Sequence, residues 1–249
     1  FDGKIKVLRG SDGSVIREAP LPSGGMYGAL RGESFKPEGI YPVQWQPAPA
    51  PKGLMLTEEY GSDGGNCIIA LDSDLKEMWR YYSLPVNYGH SLDMWDVDGD
   101  GREEVAAGYH LVDADGKRVW SVEGSEYFDV QQGARHADVV SLGDFNGDGK
   151  IEVAYAGGGE GFLLVEGRTG KILARHRIGH AQGINGGNFR PDLPGIEILC
   201  GTRWGNNGIL CLFSGKGELL HRFEPDNISQ GGPAVNWTGA GRELICLCS

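Results

Sequence analysis

No run of eighteen apolar residues occurs in this chain, so nothing in it reads as a membrane-spanning helix. Sustained helical periodicity is missing too, since no segment keeps apolar residues at three-to-four spacing over several turns. Basic residues are outnumbered, 23 Lys and Arg against 34 Asp and Glu, and the net charge of −11 argues against a nucleic-acid or anionic-membrane surface. Cysteine is sparse and unpatterned. Cys67, Cys200, Cys211, Cys246 and Cys248 are odd in number and show no CxxC spacing, which leaves neither a disulfide framework nor a thiolate metal site. Each sits in an apolar, strand-like context, so buried reduced thiols are expected, with Cys200 and Cys211 the one pair to check for a disulfide. No signal peptide is visible, although a trimmed chain would have lost one.

Glycine, by contrast, is abundant at 42 residues, and it is concentrated in turns. Two stretches stand out, Asp96-Val-Asp-Gly-Asp-Gly-Arg-Glu-Glu104 and Asp144-Phe-Asn-Gly-Asp-Gly-Lys-Ile-Glu152. Both place oxygen side chains at positions 1, 3, 5 and 9, with glycine at position 6. That pattern wraps a tight loop around one hard cation. Asp96, Asp98, Asp100 and Glu104 are the first ligand set, with the Arg102 carbonyl at position 7. Asp144, Asn146, Asp148 and Glu152 are the second, with the Lys150 carbonyl. Oxygen-only ligands in a flexible loop favour Ca²⁺ over Mg²⁺, which keeps its waters and demands an octahedron. An EF-hand would carry its last glutamate at position 12 between helices, whereas here it falls at 9 between strand-like runs, so two calcium-clasped β-hairpins are expected. The plainer reading is an Asp/Gly-rich turn without metal.

These loops belong to a repeat. Asp96, Asp144, Asn188 and Asn236 are spaced 48, 44 and 48 residues apart, each between two short apolar runs. A second motif, a turn between two strands, recurs after Leu8, Leu71, Val112, Val165 and Phe213. Recurring four-stranded units of this length predict an all-β fold, a β-propeller forming a single domain over residues 1–249. The chain opens on third and fourth strands and stops after first and second ones, so pairing its two ends would complete a fifth blade and remove open sheet edges. A first residue other than Met keeps open the alternative that the chain is a piece of a larger propeller. Residues 21–52, rich in Pro and Gly, read as an irregular insertion or loop. The third loop, Asn188–Glu197, has Arg190 where a ligand should stand and one inserted residue. It is expected to hold no calcium, with Arg190 pairing Asp192 or Glu197 instead. The fourth, Asn236–Glu243, has lost its carboxylates and is expected to be empty too.

If the calcium loops close first strands onto second strands, they share one face of the ring, and the entrances to the inner strands share the other. Those entrances carry His90, Asp138, Gln182 and Gln230 in one register, and Tyr88, His136 and His180 two residues earlier. Residues two apart in a strand face the same side, so these groups converge near the axis. The two registers argue against a tridentate transition-metal site. The second-to-third connections add Tyr60, His110, Glu160 and Thr202–Asn207 to that face. Arg203 beside Trp204, with Asn206 near, is what a sugar-acid pocket uses, a guanidinium fork for the carboxylate and an indole face for the ring. The plainer alternatives are inter-blade hydrogen bonds for the histidines and packing for the tryptophan.

The segments Asp96–Glu104, Gly179-His-Ala-Gln182, Asn188–Glu197 and Val235–Leu244 resemble rhamnogalacturonan lyases of polysaccharide lyase family 11. The resemblance covers residues 90–249 and implies a calcium-binding propeller, although similar loops occur in many propellers, integrin-like FG-GAP repeats included. This chain departs from the family pattern at Gln182, Thr238 and Ala240, where acids are the rule. The activity implied is β-elimination on a uronic acid within a polysaccharide, with Arg203 as neutraliser of the carboxylate and His180 or His136 as base. Tyr60 or Tyr88 would protonate the leaving oxygen. His90, Asp138, Gln182, Trp204, Asn206 and Gln230 would bind the chain. Millimolar calcium and a polymeric substrate imply an extracellular or periplasmic setting. The other reading from the residues is a non-catalytic carbohydrate- or protein-binding propeller with structural calcium.

Overall fold

The computed structural model describes residues 3–25, 35, 37–58, 67–83, 89–128, 136–203, 208–224 and 234–246. Four antiparallel sheets of four strands follow one another along the chain. The first is β3 (Pro37–Val43), β4 (Gly53–Glu58), β5 (Cys67–Leu71) and β6 (Glu77–Tyr82). The second is β7 (Asp93–Trp95), β8 (Glu104–Ala107), β9 (His110–Val112) and β10 (Arg118–Ser121). The third is β11 (Val139–Gly143), β12 (Glu152–Ala156), β13 (Phe162–Glu166) and β14 (Ile172–His176), and the fourth is β15 (Ala181–Gly187), β16 (Glu197–Thr202), β17 (Leu210–Phe213) and β18 (Leu219–Phe223). A hairpin of β1 (Lys4–Leu8) and β2 (Val15–Pro20) precedes them, and one of β19 (Ala234–Val235) and β20 (Leu244–Ile245) follows. This is a β-propeller. The two hairpins form separate sheets, and the β20-to-β1 ladder expected to join them into a fifth blade is not among the described pairings.

Each blade buries both faces of its middle strands. The strands β5, β8, β9, β12 and β16 are buried at every residue, whereas the outer strands β6, β10, β14 and β18 are half-buried or exposed at every residue except Trp120. A sheet that is apolar on both faces must be covered on both, and here the cover is the next sheet. Separate apolar clusters lie between the first hairpin and blade one, between successive blades, and between blade four and the last hairpin. The inner strand β11 lies against both β7 and β15, which gathers the inner strands around one axis.

One expectation is corrected by this arrangement. Residues 21–52 are not irregular throughout, because Pro37–Val43 is the inner strand of blade one, paired with β4 from Pro37↔Glu58 to Val43↔Gly53. Pro37 and Pro42 fit there because an inner strand is a sheet edge, where a missing N–H breaks no ladder on the open side. The cysteines are unpaired where described. Cys200 and Cys211 are direct cross-strand partners yet both free, and Cys67 is free and buried, its thiol pushed up to about 12 chiefly by burial. Cys246 is free but exposed, against expectation, and Cys248 lies outside the described residues.

The recurring third-to-fourth turn locks adjacent blades. Within the turn, the Asp72 and Asp113 carboxylates each accept two backbone N–H groups, from Asp74 and Lys76 and from Asp115 and Lys117. Across the gap, Trp79 Nε1 donates to Ala114 O at 2.9 Å and Trp120 Nε1 to Gly167 O at 2.8 Å. His176 Nε2 makes the same contact to Gly217 O in the next interface at 2.8 Å. The ring lies so close to the turn that a Cβ at Gly170, where φ is +70°, would sit 2.6 Å from Trp120. Gly170→Ala is therefore expected to lower unfolding stability by roughly 2 kcal/mol, read as a drop in urea midpoint at unchanged slope. An unchanged midpoint would show that the staple is dispensable.

Tyr81 and His110 bridge blades one and two in the same way, Oη to Nδ1 at 2.7 Å. This resolves His110 as an inter-blade residue, 2% exposed, rather than part of an open mouth. Burial, aided by the Arg118 charge, pulls its imidazole down from 6.5 to about 4. With the folded value depressed, the unfolded chain takes up the proton first. Stability is complete above 6.5 and is lost as pH falls through 4, by up to about 3 kcal/mol. Urea unfolding from pH 8 to pH 4 should show that decline, and His110→Gln should flatten it.

Candidate functional site

The entrances to β7, β11 and β15 bring their histidines onto one carboxylate. Asp138 is 1% exposed, its backbone fixed at the ladder end by its own N–H donating to Ala156 O at 2.8 Å. His180 Nε2 lies 3.1 Å and His136 Nε2 3.2 Å from Asp138 Oδ2, and His90 Nε2 lies 3.7 Å from Oδ1. The rings follow in a row, with centroids 5.8 Å apart from His90 to His136 and 6.1 Å from His136 to His180. His90 is brought in by Gly89, whose φ of +79° and contact with the Ala137 carbonyl leave no room for a Cβ. His90 N in turn donates to Asp138 O at 3.3 Å. Burial alone would raise the Asp138 carboxyl, but hydrogen bonding from His136 and His180 and their charges hold it below the usual carboxylate range.

The expected separation into two registers therefore does not keep these residues apart. His90 comes from one register and His136 from the other, and both reach Asp138. Ligand atoms of His90, His136 and Asp138 lie within 4.8 Å of one another. Two imidazoles and a carboxylate are a donor set for a borderline cation rather than for calcium. The side chains of His136 and His180 are nearly buried, whereas that of His90 is 45% exposed and forms the open end of the cluster. Sequence spacing alone could not show this ordering, which depends on how blades two to four rotate about the axis.

Arg203 follows β16 and stands beside the cluster, its N–H donating to His180 O at 3.0 Å. Gln182 is the second residue of β15, and its Oε1 is buried with no donor among the described residues. Glu160, a carboxylate of the same face, is ion-paired with Arg175 and lies 3.5 Å from Arg177. That engagement removes it as a free acid for paired-carboxylate hydrolysis. Tyr60, Tyr88, Trp204, Asn206 and Gln230 lie outside the described residues.

The acidic loops lie at the other ends of the inner strands and follow one hydrogen-bond plan. Asp96 accepts the N–H groups of Gly99 and Gly101, Asp98 that of Asp100, Asp100 that of Arg102, and Glu104 that of Val97. Asp144 accepts Gly147 and Gly149, Asn146 accepts Asp148, Asp148 accepts Lys150, and Glu152 accepts Phe145. Asp96, Asp98 and Glu104 bring three carboxylate oxygens within 4.8 Å. Burial, then the Asp98, Asp100 and Asp96 charges, push the Glu104 carboxyl up to about 7 against the Val97 hydrogen bond. Glu152 is raised by burial and by Asp148 and Asp144, partly offset by the Asn146 and Phe145 N–H groups. Concentrated negative charge around a buried glutamate is the electrostatic condition that a bound cation relieves.

In the third loop, Arg190 forms a fork with Asp192 at 2.8 and 2.7 Å while its N–H donates to the buried Glu197. The expected pairing is thus present. In the fourth, Val235 pairs with Leu244, which puts Leu244 at position 9 and shifts Glu243 out of that role. Glu243 reaches back to blade four, accepting Asn188 N–H at 2.6 Å. Glu103 makes the corresponding contact with Gln44 of blade one, also at 2.6 Å.

The fold is that of a β-propeller with a distinct polar set at each end of its inner strands, and part of its sequence is similar to rhamnogalacturonan lyases. No family model matches the chain. It is 30% identical over 156 residues to rhamnogalacturonan endolyase YesW of Bacillus subtilis (strain 168), covering 60% of this chain and 22% of that protein. It is 31% identical over 186 residues to rhamnogalacturonan exolyase YesX of the same strain, covering 69% and 28%. The chain is a divergent relative of rhamnogalacturonan lyases over these spans, and it matches only about a quarter of their length. The crystal structure of YesW aligns with 98% of this chain and 44% of its own at a TM-score of 0.64 and 22% identity. A rhamnogalacturonan lyase PL11 of Bacillus licheniformis aligns at 0.65 and 19%, covering 98% and 44%. The Dos1 propeller aligns at 0.56 and 14%, covering 88% and 54%.

Proposed function

We propose that this is a carbohydrate-active propeller that cleaves uronic-acid-containing, rhamnogalacturonan-like chains by β-elimination, in an extracellular or periplasmic setting. The observation that carries the reading is the convergence of His90, His136 and His180 on Asp138, with Arg203 adjoining His180, in a chain related to rhamnogalacturonan lyases. Elimination needs a cation at the uronate carboxylate and a base at the neighbouring C5 proton. His180 immediately precedes β15 and Arg203 immediately follows its partner β16, which sets the two side by side as the base and the cation the reaction needs. The guanidinium makes the C5 proton acidic, and the imidazole takes it. The released electron pair forms the C4–C5 double bond as the C4–O bond breaks, and the departing oxygen takes a proton from a donor such as Tyr88. Asp138 orients His136 and His180 and stabilises the imidazolium that forms. His90, Gln182, Trp204, Asn206 and Gln230 are the proposed chain-binding groups. The near-complete burial of His136 and His180 favours one other reading, a propeller that binds such chains without cleaving them.

Calcium in this reading is structural. Asp96, Asp98, Asp100 and Glu104 with the Arg102 carbonyl would hold one ion, and Asp144, Asn146, Asp148 and Glu152 with the Lys150 carbonyl another. The ions neutralise the acid clusters and brace the hairpins. Among the described residues no helix is long and apolar enough to cross a membrane.

Rhamnogalacturonan incubated with the protein should yield unsaturated products absorbing in the ultraviolet. His180→Ala and Arg203→Ala should each cut the rate at least about a hundredfold. Measured polysaccharide binding with no such product would establish the binding-only reading. A chelator should lower the melting temperature by several degrees, and the double variant Asp98→Ala, Asp148→Ala should abolish that response. A chelator-insensitive wild type would remove calcium from the account.

A further inference from the structure

A second polar site lies at the end of the ring away from the histidines. Between the acidic loops of blades two and three is a cleft of about 590 Å³, lined by Trp95, Asp96, Lys150, Ile151, Glu166 and Arg168 among others. Trp95 is the last residue of β7 and is 46% exposed, an unusual position for an indole beside a charged turn. Lys150 and Arg168 are both exposed and take part in no ion pair among the described residues. Arg168 is aimed rather than free-swinging, because Nη2 donates to Asp98 O at 2.6 Å. The acids of the cleft accept hydrogen bonds from the protein's own groups. Both Asp96 oxygens accept loop N–H groups, and Glu166 Oε2 accepts the Thr169 hydroxyl at 2.6 Å.

An accessible indole face, a held guanidinium and an unpaired ammonium are the groups that bind a ring carrying a carboxylate. The indole stacks on the C–H face of a pyranose, and the cations pair with its acid. We propose that this cleft is a binding subsite for an anionic sugar unit, a uronate residue, separate from the histidine cluster. Trp95 supplies the platform, and Arg168 and Lys150 supply the charge. A polymeric ligand gains from two separated contacts, because the second is made at high effective concentration. The subsite stands on its own geometry and does not require the histidine cluster to be catalytic.

The test is isothermal titration with trigalacturonate in millimolar calcium, using the full chain carrying His180→Ala so that no cleavage intervenes. The neutral trisaccharide galactotriose is the control. Trp95→Ala in that background should weaken trigalacturonate binding about tenfold or more, or remove one equivalent. Lys150→Gln and Arg168→Gln should weaken trigalacturonate by about tenfold together while leaving galactotriose unchanged. Lys150→Gln alone keeps its backbone carbonyl and touches no core, so it must still weaken trigalacturonate even if Trp95→Ala fails to fold. Unaltered trigalacturonate affinity and stoichiometry in these variants, or no trigalacturonate binding to the His180→Ala protein, would overturn the proposal.

Discussion

Sheets apolar on both faces cannot stand alone in water, and that constraint organises the molecule. The middle strands Glu104–Ala107, Glu152–Ala156 and Glu197–Thr202 are buried at every position. Each blade can meet this demand only by leaning on two neighbours, so the cores lie between sheets rather than at a common centre. Burying each large side chain in those gaps contributes about 1.5–3 kcal/mol. Hydrophobic contact has little direction, however. The ring-to-turn hydrogen bonds of Trp79, Trp120 and His176 add directional contacts between blades.

The same packing creates the electrostatic problem at the loops. Glu104, Glu152 and Glu197 begin buried second strands, and each is held by a backbone N–H of its own loop. Three buried acids in equivalent positions are met in different ways. Glu104 faces three aspartates, and the asparagine of the second loop, Asn146, donates to Glu152 through its side-chain amide at 2.8 Å. The third loop carries its own cation in Arg190. All three loops thus face one structural need, the accommodation of a buried carboxylate at the start of a second strand.

What could be read from the chain follows from how local each feature is. The acidic loops and the strand-to-strand turns were legible because Asp, Asn and Gly at fixed offsets make hydrogen bonds within a few residues of themselves. The inner strand Pro37–Val43 was not, because its prolines oppose strand formation except at a sheet edge, and being an edge is a property of the whole blade. The contact of Glu243 could not be read locally, because its partner, Asn188, is 55 residues away. The histidines were found, but their convergence on Asp138 was only half anticipated. Register within a strand says which side a residue faces, not how far a neighbouring blade brings its own residues toward it.

The two ends of the inner strands carry unequal obligations, and this explains where specificity can change. At the loop end, turn geometry, buried glutamate and charge compensation are coupled, so most substitutions there would disturb the blade that depends on them. At the histidine end, the inner strands are only entered. Apart from close approaches such as Gly89 against Ala137, the backbone there does not demand particular side chains. Gln182, for example, sits at the irregularity between Ala181 and Gly183, where it takes no place in the strand register. Divergence in chemistry can therefore accumulate at the histidine face while the opposite face keeps the ring together.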